Sequence, residues 1–135
     1  MCHSEVAVSI DIKPGSCPNP LNVNSNGVIP VSVLGTEDFD VYNISWAVLE
    51  GIPPLKISYE DVATPVGVYA DECLCTKRGP DGYMDLVMHF NTQEIISGLC
   101  APSDGQVISL AVVGELIDGT AIKGEDFVVI RNKKN

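Results

Sequence analysis

Residues 61–90 read DVATPVGVYADECLCTKRGPDGYMDLVMHF, a carboxylate-rich loop with two cysteines that runs directly into an alternating strand. Its end, Asp81-Gly82-Tyr83-Met84-Asp85-Leu86, has the residue types of the back half of a calcium loop. Calcium takes about six to eight hard oxygens at short range. Loops that hold it therefore present carboxylates at odd offsets, a glycine at the sharp turn and a backbone carbonyl beyond it. Asp81, Gly82, the Tyr83 carbonyl and Asp85 fall at offsets five, six, seven and nine.

The front half departs from that pattern. Lys77 and Gly79 stand where the first and third offsets require Asp or Asn, and a lysine there opposes a divalent ion. The remaining ligands must come from Glu60, Asp61, Asp71 or Glu72, brought back by the loop. The expected set is Asp61, Asp71, Asp81, Tyr83 and Asp85. The competing reading makes Asp81-Gly82 a hairpin or type I turn, because Asp-Gly supplies the positive φ such turns need, with Asp85 solvated at the start of a strand.

Working outward, 135 residues suit one domain spanning 1–135 with a single core. With 45% apolar residues, 12 Gly, 9 Pro and few aromatics, the profile is one of many short elements joined by turns. Eighteen acidic against 8 basic residues give a net charge of −10, which repels phosphate backbones and anionic lipid. Nucleic acid and membrane surfaces are excluded as expected partners. Divalent cations would relieve the self-repulsion of such a chain, although acidity also serves solubility alone. No apolar run reaches the ~18–20 residues that span a bilayer, and no basic-then-apolar signal segment opens the chain.

Cys2, Cys17, Cys73, Cys75 and Cys100 form an odd set, so one stays unpaired in a monomer. The disulfide candidates are Cys17, Cys73, Cys75 and Cys100. Cys73 and Cys75 flank one residue and, extended, stand about 6.6 Å apart, at the limit of a bridge, so they pair elsewhere or only across a turn. Disulfides imply an oxidising, extracellular or cell-surface location, with any export signal removed or carried by a longer precursor. Zinc, using these thiolates with Cys2, His3 or His89, ranks below calcium because C-x-C lacks a second cysteine pair.

Glu5 to Ile12 alternates, with Val6, Val8, Ile10 and Ile12 on one side and Glu5, Ala7, Ser9 and Asp11 on the other, which predicts a half-buried strand. Residues 13–26, rich in Pro, Gly, Asn and Ser, read as a long turn-built connection, with Val23 touching a sheet edge. Residues 27–35 resume the alternation, and Pro30 marks an edge or bulge.

Here a family resemblance emerges. Asp11-Ile12-Lys13-Pro14-Gly15-Ser16, Pro18-Asn19, Ile29-Pro30-Val31, Val33-Leu34-Gly35-Thr36 and Phe39-Asp40-Val41 closely resemble a "DIKPGS…PN…IPV.ILGT..FDV" module of secreted and surface-anchored proteins of bacteria and archaea. The likeness continues at Glu60-Asp61-Val62, Asp81-Gly82, Asp85-Leu86 to His89-Phe90 and Gly114-Glu115-Leu116. It implies a non-catalytic, β-rich extracellular module. Many such modules carry a compact D-x-N-x-D-G-x-x-D loop where this chain has the expanded 61–85 segment.

Thr36 to Asp40 clusters three carboxylates in a turn or at a second cation. Trp46, on one parity with Ile44 and Val48, is expected in the core, and Asn43-Ile44-Ser45 is a glycosylation triplet. Leu55 to Tyr59 reads as a strand, and Leu86, Met88 and Phe90 form the buried parity of the next, with Val87 and His89 opposite. Asn91 with Glu94 reads as a capping box opening a helix over 92–99. Residues 106–116, apolar on both parities, predict a central strand covered on both faces. Asp118-Gly119 then turns into a closing strand over 125–131.

The expected fold is an all-β antiparallel sandwich, Ig-like or cohesin-like, of about seven or eight strands with one short helix. No phosphate loop, GxSxG or HExxH is present, so the chain is not expected to be an enzyme. The leading expectation is a calcium-binding structural or adhesive module that works through protein partners or self-assembly. One alternative is a filament or surface-layer subunit whose residues 5–12 complete a neighbour's sheet. Another is a glycan-binding module, for which one Trp and four Tyr are a thin aromatic supply.

Overall fold

Period-two apolar patterning builds two sheets that face each other in the computed structural model, which describes residues 5–14, 19–64 and 79–132. The first contains β1 (Glu5–Ala7), β3 (Pro20–Asn22), β5 (Ile44–Leu49), β8 (Val107–Leu116) and β9 (Ala121–Arg131). Its order is β1-β9-β8-β5, with β3 also on β9. The second contains β2 (Ile10–Ile12), β4 (Val28–Val33), β6 (Lys56–Glu60) and β7 (Asp85–Asn91), in the order β2-β4-β7-β6. Ile12, Val31, Met88 and Phe90 from one sheet and Leu49, Leu110, Val112, Val128 and Ile130 from the other meet in one core. Helix α1 (Thr92–Ser97) adds Ile95, and Asn91 caps it by accepting the Glu94 N–H at 3.2 Å. No helix among the described residues is long and apolar enough to cross a membrane.

The all-β sandwich with one short helix agrees with the sequence reading, but nine strands are present among the described residues. One additional strand arises because residues 5–12 do not run as a single strand. β1 pairs parallel with β9, from Glu5↔Ala121 to Ala7↔Lys123, and β2 then pairs antiparallel with β4 in the opposite sheet. The chain returns to β9 as β3, again parallel and on the same edge, inside what reads in sequence as a connection. The crossing passes over Gly124, where an added Cβ would stand 2.6 Å from the Val8 carbonyl oxygen and 2.8 Å from Ile10 Cγ2. Only a residue without a side chain leaves that passage open.

Three further expectations are corrected. A bulge between Ile44 and Trp46 reverses the parity of β5, so Ile44, Ala47 and Leu49 turn inward and Trp46 is 48% exposed rather than in the core. Strand β8 is central but covered on one face only. Val107 and Val113 lie on the solvent side, as an antiparallel sheet permits. Pro30 sits on an inner strand rather than an edge. Its carbonyl accepts the Lys13 N–H at 2.8 Å. A residue's N–H and C=O share a side in antiparallel pairing, so its missing donor faces the point where β2 has ended.

Gly124→Ala is expected to lose about 1–3 kcal/mol of stability through overpacking at the crossing. Urea denaturation of the two proteins reads this directly, and coincident curves would contradict the tight passage.

Candidate functional site

Four of the five sequence-derived ligands, Asp61, Asp81, Tyr83 and Asp85, lie in the described residues between β6 and β7 and at the start of β7. Asp61 Oδ1 accepts the Asp81 N–H at 3.0 Å and its Oδ2 the Gly82 N–H at 2.6 Å, while Asp81 Oδ1 accepts the Tyr83 N–H at 3.0 Å. Gly82 has the positive φ, 95°, that an Asp-Gly turn supplies. Asp85 is fully buried rather than solvated. It accepts the Gly35 N–H on Oδ1 at 2.9 Å, and the Val62 and Ala63 N–H groups on Oδ2 at 2.8 and 3.2 Å. Burial nevertheless raises its pKa, and the Asp81 charge adds to the rise against those three donors.

Four oxygens of Asp61 and Asp85 thus serve backbone donors. Among the described residues no three His, Cys, Asp or Glu side chains are grouped to hold a metal. Tyr83 is exposed, and the Glu60 carboxylate lies at the surface, bonded to the Ser58 hydroxyl. Asp71 and Glu72 lie outside the described residues, as do Cys2, His3, Cys17, Cys73 and Cys75. Cys100 is a free, exposed thiol. In the Thr36–Asp40 segment, the side chains of Thr36 and Asp40 accept the N–H groups of Asp38 and Tyr42, which is turn chemistry.

The groups that sequence reasoning missed lie at the crossing. β1 and β3 leave a gap on the edge of β9, and Asp126 fills it. Its Oδ2 accepts the Ile12 N–H at 2.9 Å and the Asn19 amide at 3.1 Å, and its Oδ1 accepts the Phe127 N–H at 2.7 Å. Asn19 also donates to the Phe127 carbonyl at 2.9 Å and accepts the Val129 N–H at 2.9 Å through its own carbonyl. The resemblance residues Asp11-Ile12 and Asn19 therefore have a physical role as the crossing and its stitch. Asp126 shares the inward parity of Ile122, Val128 and Ile130, a signal available in the sequence.

Asp11 has no such partners. It is 1% exposed, yet neither carboxylate oxygen has a hydrogen-bond partner. The Ser32 hydroxyl and Asn19 Oδ1 are also buried without one. Burial first, then the Asp126 and Asp85 charges, raises the Asp11 pKa to about 7. Burial raises Asp126 to about 6, against the donors Ile12, Phe127 and Asn19. The ion pair among the described residues, Lys123 with Glu125 at 3.7 Å, lies at the surface and neutralises none of these acids. A buried carboxylate without a countercharge is costly, and the unpartnered atoms of Asp11 and Ser32 are hard oxygens, the ligands of alkaline-earth ions rather than of zinc; one nitrogen, His89 Nδ1 on β7, is also buried without a partner. Asp11 and Asp126 are too deeply buried for a substrate to reach.

A second feature is an apolar groove of about 230 Å³ between the unpaired edges of β5 and β6, lined by Ile44, Trp46, Pro53, Pro54, Ile57 and Tyr59. Tyr42 stacks on Tyr59 with ring centroids 4.3 Å apart, and Trp46 and Ile57 remain half exposed.

The buried acids give stability a defined pH dependence. Their folded pKa values lie above the ordinary carboxylate value of about 3.9, so the folded state holds these protons more tightly. The stability they contribute is complete below about pH 4 and is lost as pH rises through 6 to 7. In metal-free buffer the denaturation midpoint is expected to be higher at pH 5 than at pH 8, and Asp11→Asn is expected to reduce that difference. Compared with family models, curated proteins and solved structures, the chain gives no match.

Proposed function

We propose that this chain is a non-catalytic, calcium-stabilised β-sandwich module of the extracellular space or cell surface, with a structural or adhesive role. One observation carries the reading: Asp11, Asp85 and Asp126 are buried with no cationic partner among the described residues, in a chain of net charge −10. A bound divalent cation resolves that electrostatic conflict, whereas a water-filled surface would not need one. The Asp61–Asp85 turn and the module resemblance support the same reading. Calcium at about 100 times its Kd is expected to stabilise the fold by about 2.7 kcal/mol. Melting curves in EGTA and in millimolar calcium should therefore separate, and curves that superimpose overturn the reading.

A second reading, a filament subunit, is favoured by the groove between β5 and β6. Two unpaired strand edges bordering apolar walls suit an extended strand from a second copy, whereas a glycan needs hydrogen-bonding side chains beside its aromatic faces and this lining offers few. Residues 5–12 pair with β9 and β4 of their own chain, so the test belongs in the groove. Trp46→Lys combined with Ile57→Lys is expected to convert polymers to monomers in light scattering. A wild-type chain that stays monomeric at high concentration rules this reading out.

A further inference from the structure

We propose that Asp11 is the centre of a buried site for a hard divalent cation, calcium by the chemistry of its donors, with the Ser32 hydroxyl as a neighbouring ligand. The inference rests on the calcium reading above and places an ion away from the Asp61–Asp85 turn that the sequence singles out. Asp11 and Ser32 are register partners in the β2–β4 pair, so their side chains stand side by side on one face of the sheet. Asp11 is 1% exposed and Ser32 0%, and none of Asp11 Oδ1, Asp11 Oδ2 or Ser32 Oγ has a hydrogen-bond partner.

Two bare carboxylate oxygens out of water need positive charge, and a buried hydroxyl needs a partner. The neighbouring base does not supply it, because Lys13 turns its ammonium to the Pro20 carbonyl at 2.8 Å. The unpartnered Asn19 Oδ1 belongs to the adjoining network, since the Asn19 amide and the Ile12 N–H meet on Asp126 Oδ2. Asp126 and Asp85 engage their oxygens with N–H donors, so they act as a surrounding negative field while Asp11 offers free ones. Oxygen donors with no nitrogen or sulfur among them select calcium or magnesium over transition metals, and a site that strips water favours calcium.

The test uses the full chain, stripped with EGTA and titrated with a calcium salt. Ions bound are counted by native mass spectrometry, and affinity is measured by calorimetry. Wild type is expected to bind calcium, Asp11→Asn to lose one bound ion, and Ser32→Ala to keep its fold and bind several-fold more weakly. The melting order is expected to cross: Asp11→Asn melts above wild type in EGTA, having shed a buried charge, and below it in calcium. If Asp11→Asn and Ser32→Ala both retain the wild-type ion count and affinity, or Asp11→Asn melts above wild type in both buffers, this site is wrong while the calcium reading stands. If wild type binds no calcium at all, both fail.

Discussion

Asp126 is the constraint on which the rest of the sandwich depends. Strand β9 has two partners on one edge, β1 and β3, and between them its ladder would be bare, because the chain crosses there to form β2 in the facing sheet. The carboxylate restores those bonds, taking an N–H from the free edge of β2, the amide of Asn19 and the next N–H of its own strand. One side chain therefore ties the two sheets together, and Gly124, two residues earlier on the same face, makes room for the strand that crosses. Replacing strand pairing with a buried acid leaves a charge where water is excluded, which a folded chain tolerates only with dense hydrogen bonding or a countercharge.

Asp85 repeats that device at the other end of the second sheet. Its three donors come from Gly35 and from the segment after β6, so the end of β6, the start of β7 and the end of β4 converge on one buried carboxylate. Asp61 closes the outer part of the same turn. Acidic residues in this protein thus organise backbone, in contrast to the solvated surface charge that composition alone suggests. Asp11 differs from both, since its oxygens organise nothing within the chain. The Asp126 and Asp85 charges both act on it, and each raises the cost of leaving it bare.

The open side of the sandwich follows from the same topology. β5 ends one sheet and β6 ends the other, so the inward residue Ile57 has no facing strand to cover it, and the bulge in β5 turns Trp46 outward beside it. Gly114, opposite Ala47, lets the bulged strand lie close, because an added Cβ would collide with the Trp46 carbonyl oxygen. The apolar groove is a consequence of where pairing stops.

Alternation with period two was enough to establish the fold class, the strands β4, β6, β7, β8 and β9, and the helix capped by Asn91, because these signals are local and each residue carries its own share of them. Asp126 shares the inward parity of Val128 and Ile130, a signal the strand reading over 125–131 left unused. Where tertiary contacts decide, local pattern was silent. The division of residues 5–12 between two sheets depends on the close approach at Gly124. The outward turn of Trp46 depends on a bulge set by pairing with β8, and the burial of Asp11 on a sheet face that its own alternation marks as polar. Which strands are neighbours, and therefore which acids lie together beyond the reach of water, is a property of the assembled sheets, since it joins residues more than a hundred positions apart, such as Ile12 and Asp126.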